Sequence, residues 1–510
     1  MIAYLARRIG AMVMILFGAT FIIYNLTAMS GDPLADLRLS TEENARLLLE
    51  LQTQQLQLDV PAPIRYFLWL EGALGFLWGD FTLGIGLDGA PVLTALSLAI
   101  PVSIRLVIVA TILSIIIGIS IGIVSALRQY SRFDYSVTFA AFLFYSLPIF
   151  WVAVLLKQFG AIGFNDFLFD PQISFTWGLA ISLVSAIFWS GVIGGNAKRI
   201  LITFAVSFSV TALVLFYLSS TRWFSNPSLG PVVITVTAIG IAAGITQLSV
   251  GISNRRALLA TLSIAGLTPI FYFIMQPIFN ETFVAEQLLL LAIVTIFVGW
   301  AIGFLFGGDE KASTSRTTSI VAFLCASLIV LDRFMQDWSK YYEEVTFGRP
   351  IRTVGDSTLE LEANFWITGI DVFTHLILPT MALMLISLAG YLRYSRAAML
   401  ETLNQDFIRT ARAKGISERT VVMRHAFRNS LIPLTTIMAF DFAGVLGGAI
   451  ITEQVFAWRG MGTIFNQALQ RIDLNGVMGV VLVTSISALV FNLIADLIYS
   501  ALDPRIRVTK

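Results

Sequence analysis

The clearest candidate for chemistry in this chain is a single aspartate, Asp441. It lies inside the apolar stretch MAFDFAG at 438–444. An ionisable side chain in such a stretch is costly to bury, so it must face a neighbouring helix or an aqueous path. Two interpretations stay open: a hydrogen bond between helices with the acid neutral or paired, or contact with solute and water in a polar path.

The other residue types that could carry chemistry are scattered. His375 and His425 stand apart from other metal ligands, and Cys325 is the single cysteine, so we predict neither a metal site nor an intrachain disulfide. The phosphate-loop pattern Gly-x-x-x-x-Gly-Lys-Ser/Thr does not occur in the sequence. We therefore predict no catalytic residue, no metal ion and no cofactor bound by this chain.

A basic stretch at 401–433, ETLNQDFIRTARAKGISERTVVMRHAFRNSLIP, is the most informative segment. Its residues 405–414 are good helix formers that include the small Ala411 and Ala413. Gly415 follows where a left-handed residue commonly ends a helix. The stretch therefore predicts a short helix that ends abruptly at Gly415, although its positive charges alone are typical of many cytoplasmic loops.

The composition indicates which elements position these residues. Of the 510 residues, 57% are hydrophobic and 13% charged, and this charged share is about half that of an ordinary soluble domain. The net charge of +1 gives no indication of nucleic-acid binding. We predict an all-α, polytopic membrane protein with about twelve spans. The predicted windows are 9–28, 101–126, 136–157, 175–194, 199–219, 231–251, 257–279, 287–306, 317–333, 376–395, 431–452 and 477–500.

The distribution of Lys and Arg predicts the orientation of these spans, because loops left in the cytoplasm carry the excess of positive charge. With the N-terminus inside, every predicted inner loop is basic, whereas the long outer loops at 30–98 and 334–374 are acidic or mixed. We therefore expect both termini in the cytoplasm. The basic inner segments contain Arg128 and Arg132, Lys198 and Arg199, Arg255 and Arg256, Lys311 and Arg316, the run 393–428, and the tail with Arg505, Arg507 and Lys510.

Several segments resemble one transporter family in the order in which they occur. The stretch DFIRTARAKG at 406–415, followed by RHAFRNSLIP at 424–433, resembles the coupling-loop motif of the B-type permease of dipeptide and oligopeptide ABC importers. Arg409 and Thr410 replace the Glu and first Ala of the general importer motif, as is usual in the peptide subfamily. Further agreement comes from Arg7 with Arg8, GDP at 31–33, LPIFW at 147–151, TEQVFAW at 452–458 and LDPR at 502–505.

The resemblance implies a six-helix permease core interrupted by about six additional spans. We expect 1–160 to be the first half of the core, 161–335 an inserted transmembrane bundle, and 336–510 the second half with the coupling loop at 399–430. An even number of inserted spans keeps that loop on the inner side. We expect the inserted bundle to lie peripherally, against lipid or a partner.

The resemblance also implies partners and roles. These are a C-type permease, two cytoplasmic ATPases that bind ATP and Mg, and an extracytoplasmic substrate-binding protein that delivers peptides to this permease in the cytoplasmic membrane. The expected ATPase-coupling residues are Asp406, Arg409, Thr410, Ala411, Arg412, Ala413, Lys414 and Gly415. Asp441 is the candidate for the pathway, and the expected interface between permeases contains Gly444, Gly447 and Gly448.

Alternatives of the same and of other classes stay open. Permeases similar to this family carry nickel chelates, glutathione or oligosaccharides, and the sequence does not choose among them. A membrane-embedded transferase would need acidic or His residues clustered at one membrane face, whereas the acids after Gly31 are spread along a predicted amphipathic helix at 47–58. An ion-coupled secondary transporter would show internal repeats, and the stretch at 401–433 has no second copy.

Overall fold

The computed structural model describes residues 2–41, 44–281 and 283–502, without the side chains of 2–6, 309, 439–440, 443–448 and 495–502. Its described residues are helical or irregular, with one isolated bridge between Ile85 and Pro91 and no strand. The predicted all-α class is therefore confirmed. The chain packs into two compact units, unit 1 with Met1–Gln158, Thr353–Asp356 and Leu376–Lys510, and unit 2 with Phe159–Arg352 and Ser357–His375.

The helices are numbered in chain order. As far as the start of unit 2 they are α1 Ile2–Met29, α2 Ala35–Leu39, α3 Ala45–Gln55, α4 Ala62–Leu74, α5 Val92–Leu127, α6 Arg132–Ser146 and α7 Ile149–Leu155. Those that follow, up to residue 340, are α8 Phe164–Phe169, α9 Phe175–Ile193, α10 Ala197–Ser220, α11 Gly230–Ser249, α12 Arg255–Asn280, α13 Ala285–Phe306, α14 Lys311–Gln336 and α15 Trp338–Lys340. The remainder are α16 Phe365–Leu403, α17 Asp406–Ala413, α18 Glu418–Thr420, α19 Phe427–Gly448, α20 Ile450–Val455, α21 Met461–Gln470 and α22 Leu474–Leu502.

Eleven helical segments in the described part of the chain are long and apolar enough to cross a membrane. Each overlaps a predicted window, but Val92–Leu127, Lys311–Val345 and Phe365–Leu403 extend well beyond windows 101–126, 317–333 and 376–395. The outer loop predicted at 334–374 therefore ends earlier, before Phe365. The third and eleventh windows differ in other ways. The eleventh window, 431–452, is covered by α19 as far as Gly448, and the side chains of 439–440 and 443–448 in it lie outside the described residues. A multi-pass membrane protein is therefore confirmed.

The third window, 136–157, was wrong as a single helix. Helix α6 ends at Ser146, and Leu147 and Pro148 are both extended, with ψ of 130° and 137°. A proline restricts the residue before it to extended backbone, so LPIFW interrupts the helix although its residues are apolar. The long apolar segment runs instead from Ile149 to Phe169 and includes a π-helical turn at Leu156–Gly163.

The outer loop predicted at 30–98 also ends earlier than expected. Helix α5 begins at Val92 and continues through Pro101 to Leu127. A proline removes only one of the backbone hydrogen bonds of this 36-residue helix, which tolerates the loss. The predicted amphipathic helix within that loop is confirmed as α3, Ala45–Gln55.

The segment before α5 packs closely within unit 1. Tyr66 of α4 is fully buried, forms edge-to-face pairs with Phe21 at 5.2 Å and Tyr24 at 5.5 Å, and shares a 2.9 Å hydrogen bond with the Thr20 hydroxyl. Aromatic pairs of this geometry add to the area that they bury. The connection after α4 also contacts a segment far away in the sequence, because the Leu87 N–H donates to the Asp473 carboxylate at 3.1 Å.

A buried ion pair joins the ends of three helices. Asp134, at the start of α6, is 2% exposed and accepts hydrogen bonds from Arg396 of α16 at 2.7 and 2.9 Å. The carboxylate also accepts from the Ser125 hydroxyl at the end of α5 and from the Tyr130 N–H. The bonds from Arg396 are the main reason that the pKa of Asp134 falls to about 2.

We expect Asp134→Ala to destabilise the protein by about 2–3 kcal/mol, because it leaves the Arg396 guanidinium without its bidentate partner. The measurement is the free energy of unfolding in mixed micelles. Asp406→Asn is the control, since its pair with Arg409 is 3.6 Å long and both side chains are highly exposed; it should cause no measurable loss. Equal effects of the two substitutions would contradict the role assigned to the buried pair.

The same pair predicts a pH dependence. Because folding lowers the pKa of Asp134 from 3.8 to about 2, its contribution is present above the unfolded value and is lost as the pH falls through the folded one. The difference in melting temperature between the wild type and Asp134→Asn should therefore shrink as the pH falls from about 4 to about 2. A difference that stays constant over this range would exclude the carboxylate as its source.

Candidate functional site

The predicted short helix in the basic stretch is confirmed as α17, Asp406–Ala413. Gln405 precedes it with extended backbone, and its carbonyl accepts from the Ile408 and Arg409 N–H groups. At the other end the Gly415 N–H donates to the Arg412 carbonyl at 2.9 Å. Gly415 has a φ of +72°, so the predicted left-handed glycine that ends this helix is also confirmed.

One side of α17 is attached to the rest of this chain. Ile408 is fully buried and Ala411 is 6% exposed, and both belong to an apolar cluster with Met399 of α16 and Ala126 of α5. Val421, Val422 and Ala426, from the turn that leads into α19, complete the cluster. We call these seven residues the seat. Ala411, one of the expected ATPase-coupling residues, therefore faces its own chain.

The opposite side of α17 is exposed and carries two basic residues. Arg409, Thr410, Ala413 and Lys414 are all exposed, and we call these four residues the outer face. Arg409 lies 3.6 Å from Asp406, a pair too exposed to hold the arginine in place. The outer face is thus a small charged surface on a helix whose other side is fixed.

Arg412 is used within the chain. Its guanidinium donates to both oxygens of Glu418, at 3.0 and 2.6 Å. These hydrogen bonds raise the pKa of Arg412 and lower that of Glu418. The pair spans the turn at Gly415 and connects α17 to α18, so Arg412 stabilises the shape of the loop.

The remaining predicted site residues lie on α19. Asp441 is half-buried and lies near the buried Tyr391 of α16, whose hydroxyl forms no hydrogen bond with the described residues. Both interpretations of Asp441, as a contact between helices and as a residue of the pathway, stay predictions. Gly444, Gly447 and Gly448 belong to the last turns of α19, and their surroundings lie outside the described residues.

A second buried polar group, centred on Glu453, escaped the sequence reasoning. Glu453 is 1% exposed and accepts from the Ser103 hydroxyl at 2.6 Å and from the Thr463 N–H at 2.9 Å. The Ser103 hydroxyl in turn accepts from the Met461 N–H at 2.8 Å. A Cβ on Gly460 would lie 2.3 Å from the Glu453 carboxylate, so a side chain there would displace the carboxylate and the Ser103 hydroxyl. Burial raises the pKa of Glu453.

Two cations for which the sequence suggested no role have specific partners in unit 1. The Nη2 of Arg105 lies 3.0 and 3.1 Å from the carbonyl and carboxylate of Asp356. The same guanidinium lies 5.6 Å from the ring centre of Trp458. Lys157 donates to the Val455 carbonyl at 3.1 Å. In the sequence, these partners are indicated only by the position of both cations in long apolar stretches, where a charge needs a partner.

The fold and the loop together define an all-α, multi-pass membrane protein with one short helix fixed at the helix ends of unit 1. Comparison with known proteins then gives the family. The model of the binding-protein-dependent transport system inner membrane component matches residues 197–508, and the chain belongs to this family.

Several curated proteins are similar to parts of this chain. The oligopeptide transport system permease protein OppB of Mycobacterium tuberculosis is 36% identical over 191 residues, which is 38% of this chain and 57% of OppB. AppB of Bacillus subtilis, also an oligopeptide permease, is 41% identical over 30% of this chain and 48% of its own length. The dipeptide permease DppB of Escherichia coli is 43% identical over 28% and 42%. The chain thus spans about half the length of the curated relatives it matches, and its resemblance to this subfamily is confirmed.

The left-handed residue predicts how the loop responds to substitution. Among the described residues, no atom lies within 4 Å of a Cβ placed on Gly415, so only the backbone conformation opposes a side chain there. We expect Gly415→Ala to destabilise the end of α17 by about 1 kcal/mol, and Gly415→Asn by less. Amide hydrogen exchange in α17 should be about fivefold faster in the Ala variant.

Gly390→Ala is the matched control. Gly390 lies inside α16, has ordinary helical backbone and equally has no described atom within 4 Å of an added Cβ. Alanine is favoured over glycine in a helix, so this change should leave exchange in α17 unaltered. Faster exchange in both variants, or in neither, would show that the φ of Gly415 does not limit the loop.

Proposed function

We propose that this chain is the transmembrane permease subunit of an ATP-driven importer of peptides. Its family membership supports this proposal, as do the names of the three relatives above, which are dipeptide or oligopeptide permeases. The observation that carries it is the division of α17 into a buried seat and an exposed outer face. A helix attached in this way can receive a force from another protein and transmit it.

The proposed partners are two cytoplasmic ATPases, a C-type permease and an extracytoplasmic binding protein. ATP and Mg are bound by the ATPases in this proposal, since the chain itself has no phosphate-loop pattern. The outer face, with Arg409 and Lys414, would meet acidic groups of one ATPase. The permease interface proposed for Gly444, Gly447 and Gly448 would bring two close-packed helices together.

The seat indicates how movement of the ATPases reaches the membrane. Ile408 and Ala411 contact residues at the ends of α5 and α16 and in the turn before α19. Because a close-packed apolar cluster resists compression, displacement of α17 moves the ends of these three elements together. Asp441 and Tyr391 lie on two of these helices, so their contact would change as α16 and α19 move.

The proposed location is the cytoplasmic membrane, with both termini and α17 inside. The basic residues of the segments predicted to be inner support this orientation. We propose that unit 1 provides the permease core, and that unit 2 contains the inserted spans expected at 161–335.

The test removes charge from the outer face without changing the seat. We expect Arg409→Ala with Lys414→Ala to weaken co-purification of the ATPase subunits about tenfold, because two exposed contacts are lost. Substrate-stimulated ATP hydrolysis in proteoliposomes should fall in parallel. The matched control is Lys198→Ala with Arg199→Ala, which removes the same charge from another predicted inner segment and should change neither quantity.

The outcomes separate the proposed function from its alternatives. Loss of ATPase association only in the outer-face variant supports the coupling role of α17. Equal loss in both variants would indicate a general effect of charge. A stable wild-type chain that retains no ATPase, expressed with its candidate partner subunits, would exclude the importer and favour a membrane-embedded transferase.

A further inference from the structure

Unit 2 contains an apolar cavity of about 400 Å³. This is within the range of volumes that bind small ligands. The cavity is lined by Phe164, Trp223, Phe224, Pro227, Leu331, Phe334, Met335, Trp338, Gly369, Ile370 and Phe373. Nothing in the proposed import function accounts for it, and the inference below does not depend on that function.

The side chains that line the cavity have almost no capacity to bind a polar ligand. Among them, only Trp223 and Trp338 carry a side-chain nitrogen or oxygen. Both indole N–H groups already donate to backbone carbonyls, Trp223 to Ser228 at 2.9 Å and Trp338 to Phe224 at 3.2 Å. A peptide in this cavity would bury its backbone groups against hydrocarbon, at a cost of several kcal/mol.

The walls of the cavity are well supported. The ring of Phe224 packs edge-to-face against Phe167 at 5.3 Å and Trp223 at 5.6 Å. The ring of Phe334 lies 4.9 Å from that of Trp366. A Cβ on Gly369 would lie 2.5 Å from Phe334, so the glycine allows this ring to rest directly on α16. The cavity is therefore a feature of ordered packing in unit 2.

The cavity lies at one end of the spanning helices and opens on their surface. Its residues come from α8, the connection after α10, the last turns of α14, the start of α15 and the first turns of α16. The basic segments with Lys198, Arg199 and Lys311 lie at the opposite ends of α10 and α14. Leu331 is 50% exposed and Phe373 56% exposed, so the cavity has an apolar opening. Two tryptophans at this level are typical of the membrane interface.

We propose that this cavity binds one acyl chain of a membrane phospholipid. A cavity lined by hydrocarbon does not hold water, and an apolar chain gains free energy with each methylene that it buries. The opening lies on the side of transmembrane helices, where acyl chains are the surrounding solvent. The indole rings of Trp223 and Trp338 would lie at the level of the headgroup. Their N–H groups already donate to backbone carbonyls, so they need not bind the headgroup.

The test uses the full chain in lipid nanodiscs that contain a phospholipid with a diazirine in its acyl chain. After illumination, mass spectrometry locates the labelled peptides. We expect labelling to concentrate on 331–338 and 369–373 in the wild type. Leu331→Trp should fill the opening and reduce this labelling about tenfold.

Leu289→Trp is the matched control. Leu289 lies on α13, is 67% exposed and does not line the cavity, so the same substitution there should leave the labelling unchanged. Phe373→Trp, which narrows the opening from α16, is a second variant in case Leu331→Trp fails to fold. The proposal is overturned if labelling is equal in the cavity and control variants, or if it is uniform over all lipid-facing helices. Preferential labelling by an apolar diazirine peptide would also overturn it and assign the cavity to a peptide.

Discussion

The ion pair between Asp134 and Arg396 is the interaction on which the candidate site depends. It joins α6 to α16, and the Ser125 hydroxyl adds the end of α5 to the same carboxylate. The seat of α17 begins one residue further along α5, at Ala126, and one turn further along α16, at Met399. A charged network therefore fixes the positions of two helix ends, and an apolar cluster attaches the loop to them. The ion pair network thus provides a rigid support for the seat.

Much of this fold follows from the local sequence. A bilayer requires each spanning segment to satisfy its own backbone hydrogen bonds, so long apolar stretches become helices whatever surrounds them. Two of the differences from the predicted helices involve prolines. Pro148 interrupts a helix and Pro101 does not, although both stand in apolar surroundings. Hydropathy does not distinguish the two positions, because a proline removes the same backbone donor at each.

The sequence predicts those features of the candidate site that depend on residues close together in the chain. The end of α17 at Gly415 follows from helix propensities and from the freedom of glycine to adopt positive φ. The sequence does not show which side of α17 is buried. Ala411 and Ala413 are both small, and only contacts with Ala126 and Val421, distant in sequence or beyond the turn, bury Ala411. The pairs of Ser103 with Glu453 and of Arg105 with Asp356 join residues hundreds of positions apart. Without covariation between homologues, only the fold brings such pairs together.

The two-sided construction of α17 has a consequence for how such complexes diversify. The seat residues pack within their own chain, whereas Arg409, Thr410, Ala413 and Lys414 are exposed. Substitutions on one side leave the constraints of the other unchanged. Under the proposed function, a duplicated permease would pair with a different ATPase by exchanging exposed residues of α17, while the packing of the seat stays unchanged.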